Sequence, residues 1–107
     1  MNKREFALLM ERDGGCLHCG ETEAVAPNHR INRGMGGASR LADRSSNLVV
    51  LCSVVNGLIE SDPKWRSQAL EFGWKLERWQ QSDECEIYDQ RTEIWYLLDD
   101  DWQKWPL

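Results

Sequence analysis

Cys16-Leu17-His18-Cys19-Gly20 limits this chain more than any other stretch. Two thiols three residues apart, followed at once by a glycine that lets the backbone fold beneath them, can face one ion. At 107 residues the chain is a single domain, 1–107, whose hydrophobic core alone is marginal. Domains of this size often add a metal or a partner. The four cysteines, Cys16, Cys19, Cys52 and Cys85, would allow two disulfides in a secreted protein. The start, Met1-Asn2-Lys3-Arg4-Glu5, lacks the apolar core of an export signal. A metal knuckle or a redox pair is then the better reading. The redox alternative needs a thioredoxin-type strand–helix context, which this sequence does not offer. With no apolar run near the length of a membrane span, the chain is expected to be soluble and cytoplasmic, with no membrane partner.

The net charge of −5 is unfavourable for a nucleic-acid binder taken as a whole. Its distribution matters more. Residues 63–107 hold 6 basic and 10 acidic side chains, whereas 29–44 hold Arg30, Arg33, Arg40 and Arg44 against Asp43 alone. A local basic patch sits on an acidic body.

Asn2 to Arg12 reads as a short helix, with Asn2 as cap, Glu5 in the first turn and Phe6, Leu9 and Met10 on one face. Asp13-Gly14-Gly15 ends it. Val25 to Arg30 suits a strand that Pro27 confines to an edge or a bend. Arg33 to Arg40 is a glycine-rich basic loop without the Gly-Lys-Ser/Thr ending of a phosphate loop. It is either solvated chain or a phosphate-contacting loop in which glycines permit close approach. Leu48-Val49-Val50-Leu51-Cys52 is the most strand-like run. Val54 to Ile59 has helical spacing, and Asp62-Pro63 starts a further helix that Gly73 stops. Trp74 to Trp79 alternates at period two, as does part of Cys85 to Tyr88, and Thr92 to Leu98 is another strand candidate. These predict a small antiparallel sheet or hairpin. Asp99-Asp100-Asp101 reads as a solvated acidic turn rather than a metal site. The six tryptophans read as core rather than as base-stacking surfaces.

Hydrolysing a phosphodiester needs a base for water, a divalent ion for the charge that develops on phosphate, and cations to hold the backbone. His29 suits the base, since imidazole titrates near neutral pH. Asn47 suits a side-chain brace for the loop before the strand. Asn28 and Asn56 offer oxygens to a Mg²⁺-type ion, which keeps several waters and needs few side chains. Arg30, Arg33 and Arg40 suit phosphate.

Together, Cys16-x-x-Cys19, Asn28-His29-Arg30, the glycine-rich loop, Asn47 before an apolar strand, and Cys52 and Asn56 beyond it resemble the HNH (His-Me finger) endonuclease family. More narrowly they look like its small phage- and prophage-type members, whose ββα-metal motif is braced by a cysteine-ligated zinc. The resemblance covers residues 16–62. Phe72-Gly73-Trp74 and Ile94 to Asp100 look like the tail of the same proteins. It implies an α+β fold: an N-terminal helix, a ββα-metal core from about 24 to 61, and a C-terminal helix with a small antiparallel β-sheet across 63–107. By resemblance, His29 is the general base, Asn47 the central asparagine, and Asn56 a ligand of the catalytic Mg- or Mn-type ion. Asn28 stands where the family places a metal-binding aspartate, glutamate or histidine. Cys16, Cys19 and Cys52 fall on three structural zinc ligands. The fourth would fall at Val55, which cannot ligate, leaving Cys85, Asp62, His18 or water. Arg30, Arg33, Arg40 and Arg44 are expected on DNA. The implied activity is metal-dependent DNA cleavage or nicking in the cytoplasm of a bacterial host. The alternative is a nuclease-derived module that no longer cuts and binds DNA or a protein partner.

Overall fold

The first helix begins as its sequence implies. In α1 (Lys3–Asp13), Asn2 Oδ1 accepts from the Glu5 backbone N–H at 2.8 Å, and the Glu5 carboxylate accepts from the Asn2 N–H. This reciprocal capping box satisfies two of the donors a helix start leaves over. The computed structural model describes residues 1–32 and 42–107. At the other end of α1, Arg12 and Asp13 are buried as a pair, Nε to Oδ1 2.8 Å. Arg12 also donates to the carbonyls of Ser45 and Leu48, and Asp13 accepts from Val50 N–H at 2.9 Å. The C-terminal end of α1 is thus bolted to the strand that follows the loop.

That strand, β2 (Leu48–Cys52), pairs antiparallel with β1 (Val25–His29), and His29 lies opposite Leu48, Asn28 opposite Val49. All five β2 residues are buried, which is why the run is apolar without alternation. Leu48 and Val50 pack with Leu9 of α1, while Val49 and Leu51 pack with Val55, Ile59 and Trp74 on the other face. Facing residues on paired strands share a face, so His29 is directed toward α1 and Asn28 away from it.

Helix α2 (Ser53–Ser61) starts directly after β2, with the Cys52 thiol accepting from Val55 N–H at its first turn. Asp62 caps α3 (Pro63–Glu71) through Lys64 N–H at 2.9 Å, with Pro63 at the first helical position. Past α3, the alternation of Trp74 to Trp79 does not make a strand. Trp74, Lys75 and Leu76 are consecutive and all buried. Lys75 N–H goes to the Ala69 carbonyl and Leu76 N–H to Arg30, so the backbone ties other elements together instead of joining a ladder. Gly73 permits the turn: φ is +75°, and a Cβ there would collide with the Glu86 carbonyl.

The C-terminal sheet is antiparallel in the order β3 (Ile87–Asp89), β4 (Ile94–Leu98), β5 (Lys104–Pro106). Its third strand, from the tail, is not evident in the sequence. Asp99 makes the intervening turn, accepting from the N–H groups of Asp101 and Gln103 and from Trp105 Nε1. The fold is α+β, with three α-helices and two small antiparallel sheets among the described residues. No helix there is long and apolar enough to cross a membrane.

Candidate active site and thiol cluster

His29 closes β1, and the backbone ladder continues one step past it: Arg30 N–H donates to the Asn47 carbonyl at 2.8 Å. The Asn47 side chain is 1 % exposed. Its Oδ1 accepts from Ile31 N–H at 2.8 Å, and its Nδ2 donates to the carbonyls of Ile31 at 3.2 Å and Ala42 at 2.8 Å. One buried amide therefore clasps both ends of the segment between β1 and the short 3₁₀ turn Ser45–Asn47. A side chain of this type is suited to the task because it carries donor and acceptor together. The expected brace at Asn47 corresponds to this geometry.

His29 Nε2 lies 3.0 Å from Asp43 Oδ1, with the two side chains 26 % and 48 % exposed. Both line a pocket of about 210 Å³ with Met1, Glu5, Pro27 and Leu48. Asp43 is absent from the residues expected at the site. Its signal was its position as the sole acid among the arginines of 29–44, where it counts as one charge in a sum.

Asn28 donates from Nδ2 to the Ala26 carbonyl at 3.0 Å, within its own strand. Asn56 is half-buried on α2, next to the inward-facing Val55. Both are neutral amides. Among the described residues, no histidine and carboxylates gather closely enough beside His29 to hold an ion by themselves.

Two of the arginines expected on phosphate are committed elsewhere. Arg30 is fully buried, and its guanidinium donates to the carbonyls of Gly73, Ser46, Ser82, Cys85 and Glu86. It is a structural hub, and the cause is simple: the residue directly after β1 falls inside, where carbonyls from three segments converge. Arg44 pairs with Asp100 at 2.7 Å and Asp83 at 3.0 Å. Hydrogen bonding to Asp100 is the largest influence holding its pKa above the ordinary arginine value. Arg33 and Arg40, with the glycine-rich loop, lie outside the described residues.

The thiols of Cys16, Cys19 and Cys52 lie within 4.8 Å of one another. Cys19 and Cys52 Sγ are 3.8 Å apart, and a tetrahedral ion with bonds of ~2.3 Å to sulfur separates its ligands by about 3.8 Å. The turn after α1 supplies the first two, and the β2–α2 junction the third. Burial pushes the Cys16 thiol up, but backbone N–H groups of Cys19, Cys52 and His18 together outweigh it and hold its pKa below the ordinary value. The same N–H groups favour the thiolate, the form that binds a metal. Cys19 is exposed, and the N–H of Glu21 favours its thiolate, but desolvation and the neighbouring thiols raise its pKa overall.

Of the candidates for a fourth ligand, Cys85 and Asp62 are engaged elsewhere, whereas His18 keeps a buried Nδ1 without a hydrogen-bond partner among the described residues and lines the same pocket as Cys19 and Cys52. Cys85 accepts from Gln80, Asp62 caps α3, and the His18 ring stacks edge-on against Trp65 and Trp74; none belongs to the cluster. Val55 is core. A pocket of about 280 Å³, lined in part by Cys19, Cys52, Val55 and Trp65, leaves room for solvent beside the thiols. The three thiols lie close enough together to hold a metal ion such as zinc. Compared with protein-family models, curated proteins and solved structures, the chain matches none.

Proposed function

We propose that this chain is a metal-dependent endonuclease of the HNH type, in which β1, β2 and α2 serve as the ββα-metal unit. The observation that carries the reading is the pairing of His29 with its brace. An imidazole ends a strand beside a pocket, and the loop that follows is clasped at both ends by Asn47. His29 takes a proton from the water that attacks phosphorus. Asn28 on β1 and Asn56 on α2 offer amide oxygens to the catalytic ion. When bound, that ion supplies positive charge to the phosphate and the leaving oxygen. Arg33 and Arg40 of the loop hold the DNA backbone, with Arg30 kept as scaffold. Zinc on Cys16, Cys19 and Cys52 staples the α1–β1 turn to the start of α2, a contribution that matters in a domain this small.

A second reading is favoured by the neutral ligand pair: a module of the same descent that binds DNA or a protein without cutting. Without a carboxylate at Asn28, ion affinity falls. The two readings separate on supercoiled plasmid with Mg²⁺ or Mn²⁺, wild type beside His29→Ala and Asn28→Asp. The nuclease reading expects nicking that His29→Ala abolishes and that Asn28→Asp supports at lower ion concentration. Cleavage equal in wild type and His29→Ala rejects the general base. Folded wild type that cuts with neither ion selects the binding module.

A further inference from the structure

The contact between His29 and Asp43 has the form of a surface ion pair, and pairs of that kind contribute little to stability. Its setting is unusual for one. Asp43 stands between two anchored neighbours. Ala42 is buried and its carbonyl is held by Asn47 Nδ2 at 2.8 Å; Arg44 is fastened to Asp83 and Asp100. The backbone carrying the carboxylate is therefore fixed on both sides, by residues that do nothing else at the pocket. His29 is fixed equally, at the end of a paired strand. Two rigid supports, 14 residues apart in sequence, hold an imidazole nitrogen and a carboxylate oxygen at 3.0 Å.

A carboxylate only accepts hydrogen bonds, whereas a neutral imidazole carries its proton on one nitrogen and its lone pair on the other. Opposite Asp43, Nε2 must carry the proton. The lone pair is then on Nδ1. Among the described residues, the other charged groups that share the pocket are Glu5 of α1, whose carboxylate is engaged in the Asn2 capping box, and the amino end at Met1. Neither is paired with the ring.

We propose that Asp43 is a positioning residue that fixes His29 as the Nε2–H tautomer, so that Nδ1 is the atom that receives a proton. The connection Asn47–Ala42–Asp43–His29 gives the buried asparagine a second role: it sets the base as well as the loop. The tautomer holds whether or not the chain cuts; the use of Nδ1 on water rests on the nuclease reading above. In the forward step one O–H bond of water breaks as oxygen bonds to phosphorus, and the proton goes to Nδ1, with positive charge developing on the ring opposite the Asp43 carboxylate.

The test is the ¹⁵N spectrum of the His29 ring, followed as the pH is raised until the ring shifts no longer change, in wild type, Asp43→Ala and Asp43→Glu, with melting curves for each. Wild type is expected to show a protonated Nε2 and an unprotonated Nδ1. Asp43→Ala is expected to give shifts averaged between tautomers at an unchanged melting temperature, and Asp43→Glu to restore the single form. An Asp43→Ala ring spectrum identical to wild type overturns the proposal, as does averaging in wild type itself. On plasmid, Asp43→Ala lowers kcat about tenfold or more, the scale on which orienting carboxylates act. KM for DNA stays level or falls, because a negative charge has been removed. Wild type that shows the single tautomer but does not cut leaves Asp43 in its role and rejects the nuclease reading. Cleavage that needs His29 but keeps its kcat in Asp43→Ala rejects the positioning role.

Discussion

Arg30 Nε donates to the Gly73 carbonyl at 2.7 Å, joining the residue after His29 to the left-handed glycine that follows α3. The same guanidinium gathers Ser46 from the turn before β2 and Ser82, Cys85 and Glu86 from the long connection before β3. Desolvation is the main cause pushing its pKa down, to about 10. At neutral pH it is still charged, and carbonyl dipoles replace a counter-ion.

Replacing this arginine therefore breaks the fold before it touches any nucleic acid. Arg30→Ala leaves several buried carbonyls without a donor and is expected to cost about 3–5 kcal/mol, a large share of the stability of a small domain. Arg30→Lys does little better, since one ammonium cannot reproduce the planar fork. Urea unfolding followed by circular dichroism measures both. A midpoint for Arg30→Ala equal to wild type would contradict the hub.

Asn47→Ala removes three hydrogen bonds from a site with no access for water to replace them. A loss of about 1–3 kcal/mol is expected, with a local signature. The Ile31 amide, which donates to Asn47 Oδ1, should lose its protection against hydrogen exchange, while amides in β4 keep theirs. Equal loss in both places would mean that the residue acts only on global stability.

Much of this was legible in the sequence where a residue acts locally. The Asn2 and Asp62 caps, the Val25–His29 and Leu48–Cys52 strands, and the Cys16–Cys19 turn all depend on neighbours a few positions away, and each stands where its pattern implies. Arg30 was misread because its environment comes from residues 16 to 56 positions distant, and a basic side chain beside a histidine has no local mark of burial. Trp74 to Trp79 was misread for a related reason. Period-two apolarity does not exclude a coil that buries consecutive residues, as Trp74 to Leu76 do here, and the backbone bonds from Lys75 to Ala69 and from Leu76 to Arg30 decide between them. The Asp99–Asp101 run was half right: Asp99 makes the turn, but Asp100 reaches back to Ser46 and Arg44.

The thiol cluster predicts a metal response in reduced protein. Zn²⁺ added to chelator-treated protein should bind one to one and raise the urea midpoint, the stability gained being about 2.7 kcal/mol at a free concentration 100 times Kd. Cys16→Ser, Cys19→Ser and Cys52→Ser should each abolish that gain. Cys85→Ser should retain it, because Cys85 stands outside the cluster. Zinc uptake that survives in Cys16→Ser but not in Cys85→Ser would place the site elsewhere.

Asp100 gives a pH dependence of definite sign. Desolvation raises its pKa, but hydrogen bonds from Arg44 and Ser46, together with the Arg44 charge, overcome this and hold the carboxyl below its ordinary 3.8. The folded state thus binds the proton less readily than the unfolded chain, so the pair stabilises fully above the unfolded value and fades as pH falls through the folded one. Asp100→Asn should cost about 1 kcal/mol near neutral pH, a modest figure because the side chain is 41 % exposed and screened. The gap between wild type and variant should then close as pH falls below 3.8. Urea midpoints of the two proteins across the acid range measure it. A gap that is constant with pH would mean that Asp100 acts through packing at Ser46, with its charge contributing nothing.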